Sequence, residues 1–199
     1  MSSPVPSADE ANREAPRLAE WQRILLFMTV IWGAFLVDWI IPLDFSEWGL
    51  RPRTLIGLVG IPLSPFIHAS WGHLIGNSVP LVVLLSLLAA SRSRTWESVG
   101  EIIVLGGGLL WVFGRTAKHV GASGLVYGLI AFLLVAGWRE RRPLSLIAAL
   151  IVGVLYGGTL LSGVLPTAGK SISWDGHLLS AIGGAIIAVI QVPKPQADA

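Results

Sequence analysis

The chain has 199 residues, of which 53 % are hydrophobic and 13 % charged, with a net charge of +2 and a mean hydropathy of +0.71. Soluble domains carry about 25 % charged residues, so this composition is that of a single domain dissolved in lipid. The absence of cysteine excludes a disulfide framework, a thiol nucleophile and a thiolate metal site, and the small net charge gives no footprint for nucleic acid.

Residues 1–20 are polar, rich in Pro, Ser and Ala, and lack the regions of a cleaved secretory leader. They read as a disordered cytoplasmic tail. Six apolar segments follow, at about 22–41, 73–90, 99–114, 123–138, 144–165 and 177–192. Residues 193–199 form a short C-terminal tail. The predicted fold class is therefore an all-α membrane protein, a six-helix bundle over residues 21–192. A helix rises about 1.5 Å per residue and the hydrocarbon core is about 30 Å thick. Segments 22–41 and 144–165 are long enough to span. Segments 99–114, 123–138 and 177–192 are short and Gly-rich, so they end below the surface and leave a depression lined by loops.

Polar connections carry the breaks, Ser91–Thr95 between the second and third segments and Arg139–Pro143 between the fourth and fifth. Ser98 with Glu101 reads as a capping box that starts the third helix. Nine of the 14 basic residues fall on one side of the predicted topology: Arg13, Arg17, Arg23, Arg92, Arg94, Arg139, Arg141, Arg142 and Lys194. Arg51, Arg53, Arg115, Lys118 and Lys170 fall on the other. The positive-inside rule then makes both termini cytoplasmic. Ser123, His177 and His73 all lie toward the outer side.

Ser123 begins the fourth segment within Gly121-Ala122-Ser123-Gly124. A serine hydroxyl needs a base to become a nucleophile, and free N–H groups at a helix start favour an oxyanion. Gly121 and Gly124 allow close approach of a substrate backbone or a second helix. The same tetrapeptide also suits plain helix packing, and Leu125 breaks the Gly-x-Ser-x-Gly elbow of the α/β hydrolases. His177 begins the sixth segment; ionisable residues in membrane segments are costly and usually functional, although an interfacial histidine facing water has the same placement. Asp175 lies two residues away, on a nearly opposite helical face, and reads as the cap of that helix. This leaves a Ser–His dyad rather than a triad. His73 and Asn77 share one helical face and could donate to an oxyanion or bond across helices. Tyr127 lies on the face of Ser123, where its ring could brace His177 or fill an interhelical gap. His68, His73 and His177 could be assembled around a zinc ion, but there is no His-Glu-x-x-His motif.

Three motifs stand together: Phe66-Ile67-His68-Ala69-Ser70-Trp71-Gly72-His73-Leu74-Ile75-Gly76-Asn77, Gly121-Ala122-Ser123-Gly124-Leu125-Val126-Tyr127-Gly128, and Gly176-His177. Their order and spacing across six segments resemble the rhomboid intramembrane serine proteases, over residues 22–192. The resemblance implies that Ser123 attacks the scissile carbonyl and forms an acyl-enzyme, with His177 as general base and then general acid. It implies an oxyanion hole from His73, Asn77 and the Ser123 N–H, a Tyr127 ring stacked beneath His177, and a loop-organising role for His68. It further implies transmembrane protein substrates in a bacterial cell membrane, no metal or organic cofactor, and a site complete in a monomer. Ser180 replaces a glycine common in the family, which predicts slightly looser packing of the fourth and sixth helices. Gly76 replaces a bulky residue of some members, which predicts an easier substrate path between the second and fifth. Val59-Gly60 stands where a Trp-Arg pair is frequent. A client-binding rhomboid-like protein that does not cut, and a small transporter, are the readings from other classes.

Overall fold

The computed structural model describes residues 8–41, 43–166 and 173–192, with side chains from residue 18. Lys170, Lys194 and the side chains of Arg13 and Arg17, which enter the orientation count, lie outside the described residues, as do 1–7 and 193–199. Six helices are long and apolar enough to cross a membrane. They are α1 (Ala8–Ile40, apolar from Leu18), α3 (Trp71–Ser91), α4 (Thr95–Phe113), α5 (Ser123–Glu140), α6 (Pro143–Gly163) and α7 (Trp174–Gln191). A short helix, α2 (Leu55–Leu63), lies in the loop between α1 and α3. Sequence reading passed over α2 because Gly57, Gly60 and Pro62 argue against a helix. The side chain of Thr54 caps it, and both glycines are needed for contact. A Cβ on Gly57 would lie 1.9 Å from the Arg51 carbonyl oxygen, and one on Gly60 would lie 2.4 Å from the Leu50 Cα.

The central helix is α5, with every side chain from Leu125 to Leu133 buried. Such all-round burial is the mark of a helix enclosed by others. The core is completed by Leu74, Leu81, Leu84, Leu85 and Leu88 from α3 and by Ile24 and Ile31 from α1. By contrast, α6 is peripheral: Leu144, Leu150, Val154 and Leu161 are exposed along it.

Two sequence expectations about helix starts need correction. Helix α4 begins at Thr95, so Ser98 is inside it and forms no capping box. The Ser98 hydroxyl donates to Gln191 Oε1 (2.7 Å), and Gln191 Nε2 donates to Glu101 (2.8 Å), which ties α4 to the end of α7. Helix α7 begins at Trp174, so Asp175 sits in its first turn and does not cap it.

Around Ser180, α5 and α7 pack backbone to backbone. A Cβ on Gly184 would fall 2.0 Å from the Gly128 carbonyl oxygen. The Ser180 hydroxyl fits because glycines flank it on both neighbours; Cβ atoms at Gly106 and Gly124 would lie 3.1 and 3.0 Å from its Oγ. Small residues at such crossings allow helices to approach closely in lipid.

This contact generates a stability prediction. Gly184→Ala forces a methyl into the α5 backbone and should destabilise the protein by about 1–3 kcal/mol, the usual range for overpacking. Gly157→Ala, where a Cβ meets nothing within 4 Å, should be neutral. Thermal unfolding of both variants in detergent checks this, and equal melting temperatures would contradict it.

Candidate active site

The residues that lead into Ser123 are held by the loop between α1 and α3. Leu50 and His119 exchange backbone hydrogen bonds of 3.0 and 2.9 Å. The Gly121 N–H donates to the Ser64 carbonyl (2.9 Å), and the Ala122 N–H donates to His68 Nε2 (3.4 Å). Arg53 adds its backbone N–H to the Trp111 carbonyl and its guanidinium to the Val112 and Gly114 carbonyls. Gly121 adopts φ +104°, a conformation L side chains rarely adopt. Its missing Cβ would lie 2.3 Å from His73 Nε2 and 3.4 Å from Asn77 Nδ2. The two donors of α3 therefore converge on the backbone just before Ser123. Asn77 Nδ2 is buried and has no hydrogen-bond partner among the described residues.

Ser123 is the first residue of α5, and its Oγ lies 3.0 Å from His177 Nε2. His177 Nδ1 lies 3.0 Å from the Gly163 carbonyl oxygen. A carbonyl can only accept, so Nδ1 carries the proton and Nε2 is left to accept from the serine hydroxyl. The Tyr127 ring stacks on the imidazole, with centroids 4.0 Å apart and planes 4° from parallel. Its hydroxyl donates to the Thr159 carbonyl (2.9 Å). Both stacked rings are thus bonded to carbonyls near the C-terminal end of α6, one turn apart. Gly163 has to be glycine for this: a Cβ there would fall 1.7 Å from the Tyr127 oxygen. Sequence reading missed Gly163 and Thr159 because they act through backbone atoms.

Asp175 does not reach His177. Its carboxylate accepts from the Arg115 backbone N–H (2.8 Å) and guanidinium (3.0 Å). A second Ser–His contact lies close by: His119 Nδ1 is 2.6 Å from Ser173 Oγ, and its Nε2 faces the Arg115 carbonyl at 3.4 Å. Both pairs line one cavity of about 610 Å³, together with His73, Tyr127 and Gly163. They differ in what surrounds them. His73 and Asn77 converge on the backbone just before Ser123, whereas Ser173 stands two residues before Asp175, which is paired with Arg115. His68 and His73 meet edge to face at 5.1 Å, and among the described residues no group of three His, Cys, Asp or Glu side chains could hold a metal.

His68 is 4 % exposed, and burial, reinforced by the charge of neighbouring His73, lowers its pKa to about 4. Burial lowers that of His119 as well. A histidine with a depressed folded-state pKa binds fewer protons folded than unfolded. Its stabilisation is complete above the unfolded value of about 6.5 and is lost as pH falls toward about 4, by at most ~3 kcal/mol for His68. Thermal unfolding should therefore show a melting temperature that drops between pH 7 and pH 4.5. His68→Gln should flatten that drop, and an unchanged pH dependence in the variant would contradict the assignment.

Comparison with known proteins gives the family. The sequence model of the rhomboid domain matches residues 56–194. An uncharacterized protein of Mycobacterium tuberculosis is 36 % identical over 186 residues, covering 88 % of this chain and 77 % of that one. An uncharacterized protein of Mycobacterium leprae is 35 % identical over 190 residues, 91 % of this chain and 75 % of that one. The chloroplastic rhomboid-like protein 11 of Arabidopsis thaliana is 26 % identical over 159 residues, 67 % of this chain and 52 % of that one. With its six apolar helices and a domain match over more than two thirds of its length, the chain is a multi-pass membrane protein and belongs to the rhomboid family, a family of intramembrane proteases.

Proposed function

We propose that this protein is a serine endopeptidase that cleaves transmembrane protein substrates through a Ser123–His177 dyad. The observation that carries the reading is the 3.0 Å contact between Ser123 Oγ and His177 Nε2, with the imidazole fixed by Gly163 and Tyr127. His177 Nε2 takes the hydroxyl proton as Ser123 Oγ bonds to the scissile carbonyl carbon, and the carbonyl electron pair moves onto oxygen. His73, Asn77 and the Ser123 N–H receive that oxyanion, supported by the start of the α5 dipole. Collapse breaks the C–N bond and the amine leaves with the proton from Nε2. Water then attacks the acyl-enzyme as His177 takes its proton, and collapse breaks the C–Oγ bond while His177 returns that proton to Ser123 Oγ and the acid product leaves.

The imidazolium formed during attack needs a negative partner. In a triad this is a carboxylate; here the proposed partner is the C-terminal end of α6. The last carbonyls of a helix have no intrahelical donor and carry about half a negative charge. A cation at such an end gains up to ~2 kcal/mol in partly buried geometry. Substrate is proposed to enter between α3 and α6, where a Cβ on Gly76 would meet nothing within 4 Å. The arginine-rich end of the bundle is proposed to face the cytoplasm, with the cavity opening outward. All the proposed groups come from one chain, so a monomer suffices.

Cleavage of a transmembrane reporter by purified enzyme tests the reading. Ser123→Ala and His177→Ala should each lower the rate by at least ~10⁴-fold while the protein still unfolds cooperatively. Retained cleavage in Ser123→Ala would refute it. Asp175→Asn separates dyad from triad. Replacing the aspartate of a true triad by asparagine costs about 10⁴ in kcat; here the loss per folded enzyme should stay below about tenfold, since Asp175 acts on Arg115 rather than on His177.

A further inference from the structure

We propose that the end of the bundle opposite the dyad holds one anionic phospholipid, its phosphate among Arg92, Arg94 and Arg142 and an acyl chain in the adjoining cleft. The site is independent of the protease reading. Two concavities meet there, of about 570 and 520 Å³, sharing Ala89, Ala90, Arg92 and Ser93 in their walls. The first is polar. Among the described residues, three guanidinium groups line it against one carboxylate, Glu140. Both oxygens of Glu140 are already committed: Oε2 to Arg92 (2.8 Å) and Ser145 (2.7 Å), Oε1 to Arg142 (3.1 Å).

Arg92 is the fixed member, 13 % exposed and lying over the Phe132 ring at 5.4 Å. Arg94 and Arg142 are mobile members, with exposed side chains. Arg94 pairs with Glu97, which lies outside the cavity wall, and exposed pairs of this kind are worth little. Both arginines can turn to a phosphate at small cost, and a guanidinium fork matches phosphate oxygens in geometry.

The second concavity is mostly apolar. It lies between the start of the α1 span and the start of α6, floored by the end of α3, with Trp21, Ile24, Ala89 and Leu144 in its walls. Trp21 is 50 % and Leu144 63 % exposed, so the cleft presents apolar side chains on the outside of the bundle, as an acyl chain requires. Among the described residues, the one acid in its wall is Glu20, occupied by Arg23 and by the Trp96 indole N–H. A charged pocket continuous with an apolar slot at the membrane boundary has the chemistry of an anionic lipid: negative head, greasy tail. Basic pockets between helices are known to take such headgroups.

Native mass spectrometry of the full chain in a neutral detergent tests this, with phosphatidylglycerol, phosphatidylcholine and inorganic phosphate as separate probes. Phosphatidylglycerol should bind at least tenfold tighter than phosphatidylcholine. The double variant R94Q/R142Q should lose about 30-fold for phosphatidylglycerol, as expected for two cations near an anionic headgroup, and little for phosphatidylcholine. Ala90→Trp, which fills the exposed slot and keeps every charge, should also weaken phosphatidylglycerol. It covers the case in which the double variant fails to fold. Equal affinity for the two lipids, full binding by R94Q/R142Q or by Ala90→Trp, or displacement of phosphatidylglycerol by equimolar inorganic phosphate would each overturn the proposal.

Discussion

The hydrogen bond between His177 Nδ1 and the Gly163 carbonyl is the contact on which the site geometry turns. It fixes the tautomer that leaves Nε2 facing Ser123. It also sets the ring plane on which Tyr127 stacks, and Tyr127 is held in turn by the Thr159 carbonyl one turn earlier on α6. A free imidazole in a membrane cavity would have several rotamers and two tautomers. Here backbone atoms of one helix end remove that freedom without introducing a second buried charge, which would be costly in lipid. In the proposed mechanism the same helix end also offsets the positive charge that His177 gains.

The other half of the site rests on a different support. Residues 119, 121 and 122, just ahead of Ser123, are each hydrogen-bonded to the loop between α1 and α3. Behind Ser123, α5 is locked to α7 by glycine contacts that allow almost no backbone separation. The serine is therefore carried by the buried centre of the bundle, and its base by a helix in direct backbone contact with that centre. The orienting carbonyl comes from α6, whose outer face meets lipid. If substrate enters beside α6, its passage acts on the element that orients the base. That couples entry to the readiness of the dyad through one hydrogen bond.

Much of this was legible in the residues. Apolar runs marked all six spans, because burial in lipid demands near-continuous apolarity and polar loops break it. Helix ends lay two to four residues further out than the apolar runs in several cases, since Thr95, Trp174 and Glu140 continue helices that hydropathy alone would stop. Ser123, His177, His73, Asn77 and Tyr127 each suited packing when taken alone, and only their joint order across separate segments made them candidates for one site. What stayed hidden works through the backbone or through distant pairs. Gly163 reads as one more glycine in a membrane helix. Helix α2 looks like a broken loop, because its glycines serve contact with Leu50 and Arg51. The Asp175–Arg115 pair spans 60 residues, so Asp175 could be excluded from the dyad by helical geometry while its true partner was invisible. The setting of Ser180 was only half legible, because one of its two facing glycines, Gly106, sits on a third helix.

The cavity holds two Ser–His contacts, and the account rests on choosing Ser123 over Ser173. The shorter contact, 2.6 Å, belongs to Ser173. Distance is outweighed here by what stands beside each hydroxyl: the His73 and Asn77 side chains converge on the backbone just before Ser123. Reaction of the wild-type protein with a fluorophosphonate, followed by peptide mass spectrometry of the adduct, tests this most directly. The phosphonyl group should be found on Ser123, with Ser173 unmodified. An adduct on Ser173, or a folded protein that takes up no phosphonate, would contradict the account.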